Sequence, residues 1–218
     1  FYIQHQTKPV TKPVLELCLN TNPHCYSYSS TNTSMFKKFS QDADVKDMAR
    51  VKSSKARKIL SSIKEQYTNL EEVIETLYPD KKTPVTIATT KDKTELLVRE
   101  GVPIFFKPRD GPWVPTLKFL YTYPGAIPQK VTVDKGAIRF VLRGAAVACG
   151  GLKAATSILP DGLKVNDPVA LYAEGKDLPL AVGIMAMSTE QIKAASKGFA
   201  IEQTHHLDDA LWKHPEFD

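Results

Sequence analysis

From Val51 to Leu70 the apolar residues Ala56, Ile59, Leu60, Ile63, Tyr67 and Leu70 recur three and four apart, while Lys55, Arg57, Lys58 and Lys64 fall outside that stripe. Such spacing predicts an amphipathic helix with a basic outer face. A second helix is expected to begin at Thr68 or Asn69, each of which has a glutamate three residues on in capping-box position, and to stop before Pro79. After Lys82 the period shortens. Val85, Ile87 and Ala88, then Leu96 to Val98, then Ile104 to Phe106 are short apolar runs separated by polar turns, and they predict a small antiparallel sheet under the two helices. Pro108 to Pro115 reads as a stiff surface connection in which Trp113 is tied down by packing. Leu117, Phe119 and Leu120 predict a short helix ended by Pro124, and Gly125 to Pro128 is the best domain boundary in the chain.

Beyond that boundary, Val131 to Leu152 reads as a strand, a two-turn helix and a glycine-punctuated return. Asp134 suits an N-cap, Ala137, Phe140 and Val141 form an apolar stripe, and Gly144 sits where a left-handed C-cap belongs. Lys135, Arg139 and Arg143 then fall at i, i+4 and i+8, three cations along one helix face. Gly150 and Gly151 follow, where no side chain blocks close approach to the backbone. A cationic ridge beside bare backbone suits a ribose-phosphate chain, and a solvated charged face followed by a tight turn fits the same spacing. Further on, Val169 to Ala173 and Leu180 to Met185 form a hairpin across Glu174 to Asp177. Ser188 and Gln191 make a capping box for a helix through Ala195, and Phe199 to Thr204 is a last strand.

Several of these stretches together carry a resemblance. DKGAIRFVLRGA from Asp134 with its Gly-Gly-Leu return resembles the opening of a PUA domain, a small RNA-binding barrel. MFKKF at Met35, YPDKK at Tyr78, PTLKFLYTYP at Pro115, VDKGAIRFVL at Val133, SxEQI at Ser188 and HHLDDALW at His205 follow one another as in the malignant T-cell-amplified sequence proteins, called translation machinery-associated proteins in yeast. Two positions depart from that pattern: Ala146, where asparagine is usual, and Gly150, where proline is usual. The resemblance implies an α+β protein, with an N-terminal helix pair packed on a small antiparallel sheet (residues 35–125) followed by a PUA β-barrel (126–213) and a tail (214–218). It also implies a non-catalytic translation factor that acts with density-regulated protein on the small ribosomal subunit, in post-termination tRNA release and in reinitiation. RNA contacts are expected at Lys135, Arg139, Arg143, Gly150, Gly151 and Lys153, with Lys55, Arg57 and Lys58 as a second patch. An accessory domain of an RNA-modification system, of the pseudouridine synthase or transglycosylase kind, is the competing expectation.

Composition narrows this picture only modestly. The net charge of +5 over 218 residues permits an anionic partner without demanding one. Residues 1–34 are dominated by Thr, Ser, Asn and Pro, show no apolar period, and are expected to form a disordered extension. Cys18, Cys25 and Cys149 form no Cys-x-x-Cys pair, so a reduced, cytoplasmic setting without metal or other cofactor is expected. His205-His206-Leu207-Asp208-Asp209 holds residue types of general bases and metal ligands. Adjacent strand side chains point to opposite faces, however, so a terminal strand and turn is the expected reading. Cys149 follows an apolar strand and reads as a packed thiol, which leaves no candidate nucleophile.

Overall fold

The computed structural model describes residues 34–80, 83–213 and 216–217. The expectations placed on residues 1–33, with Cys18 and Cys25, lie outside these.

Two five-stranded sheets carry the chain. The first is antiparallel in sequential order: β1 (Val45–Arg50), β2 (Thr86–Thr90), β3 (Glu95–Arg99), β4 (Val102–Lys107) and β5 (Val114–Pro115). Before β1 comes a single helical turn, α1 (Gln41–Asp44). Helices α2 (Ser53–Gln66) and α3 (Glu71–Leu77) lie between β1 and β2 in sequence. Their buried Ile59, Ile63 and Ile74 join Ile87, Leu97 and Phe105 in one core, as the helical and alternating patterns predict. Helix α4 (Leu117–Thr122) follows β5, capped by the Thr116 hydroxyl, which accepts from the Phe119 N–H. Trp113 is buried, and its carbonyl accepts from both the Gln66 amide and the Tyr67 hydroxyl, so the proline-rich connection is pinned to α2.

The second sheet runs in the order β6 (Lys130–Val133), β8 (Pro168–Ala173), β9 (Ala181–Met185), β10 (Phe199–His206), β7 (Val147–Ala148). Its β6–β8 pair is parallel and the others antiparallel. Between its strands sit α5 (Ile138–Val141) and α6 (Thr189–Ala194), and α7 (Ala210–Lys213) ends it. The expected capping box of α6 is formed in both directions by Ser188 and Gln191.

Four local expectations are corrected. No capping box opens the second helix: Thr68–Leu70 is a 3-10 turn, α3 starts at Glu71, and neither start carries a side-chain cap, because the residues in cap position are Tyr67 and Leu70; the Asn69 amide donates to the Gly125 carbonyl. Strand β1 has no counterpart in the sequence pattern. It is an edge strand without a buried side chain, so burial imposes no alternation on it. The two-turn helix after Asp134 is a 3-10 turn, Lys135–Ala137, running into one α-helical turn, and Arg143 lies beyond it. Phe140, read as part of the buried stripe, is 49% exposed, because this change of pitch leaves Val141 as the inward residue.

The two sheets share a core. Ala170, Tyr172, Val182 and Leu211 from the second half pack in the same cluster as Phe36, Phe105 and Phe106 from the first. Phe36 meets Phe106 edge-on at 5.1 Å and the His205 ring at 5.9 Å, and its carbonyl accepts from the Ala210 N–H. Ser34, taken from sequence as the end of the extension, is buried. Its N–H donates to the Gly144 carbonyl and its hydroxyl to that of Thr204. Phe217 closes the other end, buried and stacked on Phe39.

Candidate nucleic-acid interface

The segment after β6 is built by local chemistry. The Asp134 carboxylate accepts from the Gly136 and Ala137 N–H groups and starts the 3-10 turn, placing Lys135 on the surface. Gly144 ends the helical segment at φ +80°, where a side chain would be strained. A β-carbon there would also lie 2.9 Å from Ser34 Cβ and 3.0 Å from His206 Nε2. The turn carrying Arg143 is therefore gripped from behind by the start of the described chain and the end of β10.

Lys135, Arg139 and Arg143 are all exposed, and none has an ionic partner among the described residues. Arg139 lies 4.7 Å over the ring of Phe140. These cations do not form one regular helix row, because the short helix ends before Arg143; they are spread along a turn. Gly150 and Gly151 lie in the 3-10 turn Cys149–Leu152, and a β-carbon at either would meet nothing within 4 Å. Neither has the positive φ that requires glycine. Among the described residues, packing and backbone conformation give no reason for glycine at these two positions.

The remaining expected contacts are less free. The Lys153 ammonium donates to the Lys193 and Ala195 carbonyls, serving the last turn of α6. In the second patch, Lys55 is paired with Glu95 at 2.9 Å. Arg57 and Lys58 are exposed on α2, away from the ridge in sequence. Sequence pattern did not reveal that Leu142 and Phe199 would join Phe140 as exposed large apolar side chains.

The residues with a catalytic look are engaged in packing and hydrogen bonding within the fold. His205 Nδ1 and Asp209 Oδ2 are 2.7 Å apart and fully buried, the same oxygen accepts from the His206 N–H, and Asp209 Oδ1 caps α7 through the Trp212 N–H. The two imidazoles serve different neighbours, His205 the Phe36–Phe106 cluster and His206 the Gly144 turn. Cys149 is buried with its Sγ 3.6 Å from Met187 Sδ. Among the described residues no cluster of His, Cys, Asp or Glu is placed to hold a metal ion, and no helix is long and apolar enough to cross a membrane.

Comparison with known proteins places these features. A Pre-PUA-like domain model matches residues 39–124 and a PUA domain model residues 129–207. The malignant T-cell-amplified sequence 1 homolog of Drosophila melanogaster is 43% identical over 180 residues, which is 82% of this chain and 97% of that protein. The chain belongs to the malignant T-cell-amplified sequence family. Another relative, translation machinery-associated protein 20 of Saccharomyces cerevisiae, is 41% identical over the same share of each chain. The human malignant T-cell-amplified sequence 2 is 42% identical over 178 residues, 82% of this chain and 97% of its own. Among solved structures, a hypothetical protein of Pyrococcus horikoshii aligns with a TM-score of 0.61 and 26% identity, covering 78% of this chain and 99% of that one. A PUA-domain protein of Thermoplasma acidophilum, 19% identical with a TM-score of 0.54 over 78% of this chain and 99% of that one, shares the fold.

Proposed function

We propose that this protein is a non-catalytic translation factor of the cytoplasm that binds the small ribosomal subunit together with density-regulated protein. Relatives named translation machinery-associated protein support the setting. The observation that carries the RNA contact is the conjunction of three exposed cations without an ionic partner among the described residues, Lys135, Arg139 and Arg143, with Gly151, where an added β-carbon would meet nothing within 4 Å. Cations of this kind engage phosphates without reading bases, and bare backbone lets the strand come close. In this role the chain positions and no bond is made or broken. The complex promotes release of deacylated tRNA after termination and supports reinitiation downstream of short reading frames. The exposed Phe140 and Leu142, interleaved in sequence with Arg139 and Arg143, supply apolar surface of the kind a protein partner covers.

The test is Arg139→Glu with Arg143→Glu, assayed for binding to purified small subunits. Since both side chains are exposed and unpaired, the melting temperature is expected to stay unchanged while affinity falls by about tenfold or more. Wild-type affinity in the folded double variant would count against the ridge.

A further inference from the structure

Helix α4 and the turn between β8 and β9 bound a groove of about 260 Å³, lined by Tyr121, Lys176, Asp177, Leu178 and Leu180. Its two walls come from different halves of the molecule and are tied together, because the Tyr121 hydroxyl donates to the Pro179 carbonyl at 3.1 Å. The Tyr121 ring meets Trp212 edge-on at 5.3 Å, and the Lys118 ammonium lies 5.8 Å over the Trp212 ring. Burial, and after it the neighbouring Tyr172 hydroxyl, push the Tyr121 phenol up, so it stays neutral. Lys130 in turn lies 5.5 Å over the Tyr172 ring.

The fold itself makes little use of these groups. Tyr121 and Leu178 belong to neither hydrophobic core, and Leu178 is 47% exposed. Lys118, Lys130 and Lys176 have no ionic partner among the described residues. Aromatic rings interleaved with such cations match the two parts of a single-stranded nucleic acid, its flat bases and its charged backbone. An apolar peptide would leave the three cations without a counter-charge. A phosphate alone would be repelled by Asp177 in the wall, whereas a base offers that carboxylate an amino group to accept from.

We infer that the groove takes one unstacked, amino-bearing base of a single-stranded RNA. The base lies between the Tyr121 ring and Leu178, Asp177 accepts from its exocyclic amino group, and Lys176 engages a flanking phosphate, with Lys118 and Lys130 beyond the lining. This rests on the RNA-binding reading above and adds base recognition to it: the Lys135–Arg143 ridge holds backbone, and the groove holds a base. The Tyr121 hydroxyl is committed to Pro179, so this residue contributes its ring.

Titration of labelled hexacytidylate and hexauridylate with the full chain, followed by fluorescence anisotropy, tests the assignment. Hexacytidylate is expected to bind several-fold more tightly, since uracil lacks the amino group. Tyr121→Leu and Leu178→Asp each weaken hexacytidylate binding by about tenfold, and Tyr121→Phe stays within about twofold of wild type. Leu178 is exposed, so Leu178→Asp is expected to keep the wild-type melting temperature. Asp177→Asn abolishes the preference for cytidine, and Lys164→Ala, an exposed cation outside the lining, changes neither affinity. Equal wild-type affinity for the two oligonucleotides, or a gain for both in Asp177→Asn, would reduce the groove to charge attraction and overturn the site. Wild-type hexacytidylate affinity in Leu178→Asp would overturn it too, and loss of density-regulated protein by that variant alone would give the groove to a protein partner. The ridge is judged separately: Arg139→Glu with Arg143→Glu is expected to lose the small subunit and keep the preference for cytidine. Small-subunit binding without any hexacytidylate binding would overturn the groove alone, whereas a wild-type chain that binds neither would overturn the RNA reading itself.

Discussion

Two kinds of glycine separate structure from function at the scale of single residues. Gly144 has φ +80° and neighbours within 3.1 Å of any added β-carbon, so Gly144→Ala is expected to strain the turn and lower the melting temperature. Gly151 has neither constraint. Gly151→Val is therefore expected to melt within a degree or two of wild type, yet to bind the small subunit several-fold more weakly, because the side chain occupies the proposed approach to the backbone. Thermal melting with a sedimentation assay on the same samples checks both. Equal stability loss in the two variants, or unimpaired binding by Gly151→Val, would remove the distinction. The sequence alone marked all these glycines; it could not show which of them the fold requires, since that depends on Ser34 and His206 arriving from far along the chain.

Legibility at the scale of elements follows burial. Strands β2, β3 and β4 and the β8–β9 hairpin bury most of their side chains, and their apolar runs announced them. Helix α2 keeps one buried stripe and was equally plain. Edge strand β1 has no fully buried side chain and left no trace in the pattern. The segment around α5 misled for a different reason: a 3-10 turn advances each residue by more than an α-helix does, so Phe140 comes out on the surface where a continuous α-helix would have turned it inward. That displacement exposes apolar surface among the cations. Phe140 and Leu142 lie between Arg139 and Arg143 in sequence, and under the proposed partnership Phe140→Asp is expected to abolish association with density-regulated protein while the fold stays intact. Size-exclusion chromatography of the mixed proteins reads this directly, and co-elution of the variant with the partner would place the docking surface elsewhere.

For the whole molecule, the shared core means that the two halves present their surfaces at a fixed relation. Phe36, His205 and Leu211 belong to one cluster with the strands of the first sheet, and Ser34 ties the turn bearing Arg143 to β10. The proposed positioning role needs such rigidity, because loosely joined contacts each bear the ordering cost of binding. Co-sedimentation with purified small ribosomal subunits across a salt series, with and without density-regulated protein, tests the central claim most directly. Partner-dependent binding that weakens steeply as salt rises is the predicted result, since phosphate contacts release counterions. Binding that is insensitive to salt, or absent at every salt concentration with folded protein and partner present, would contradict it.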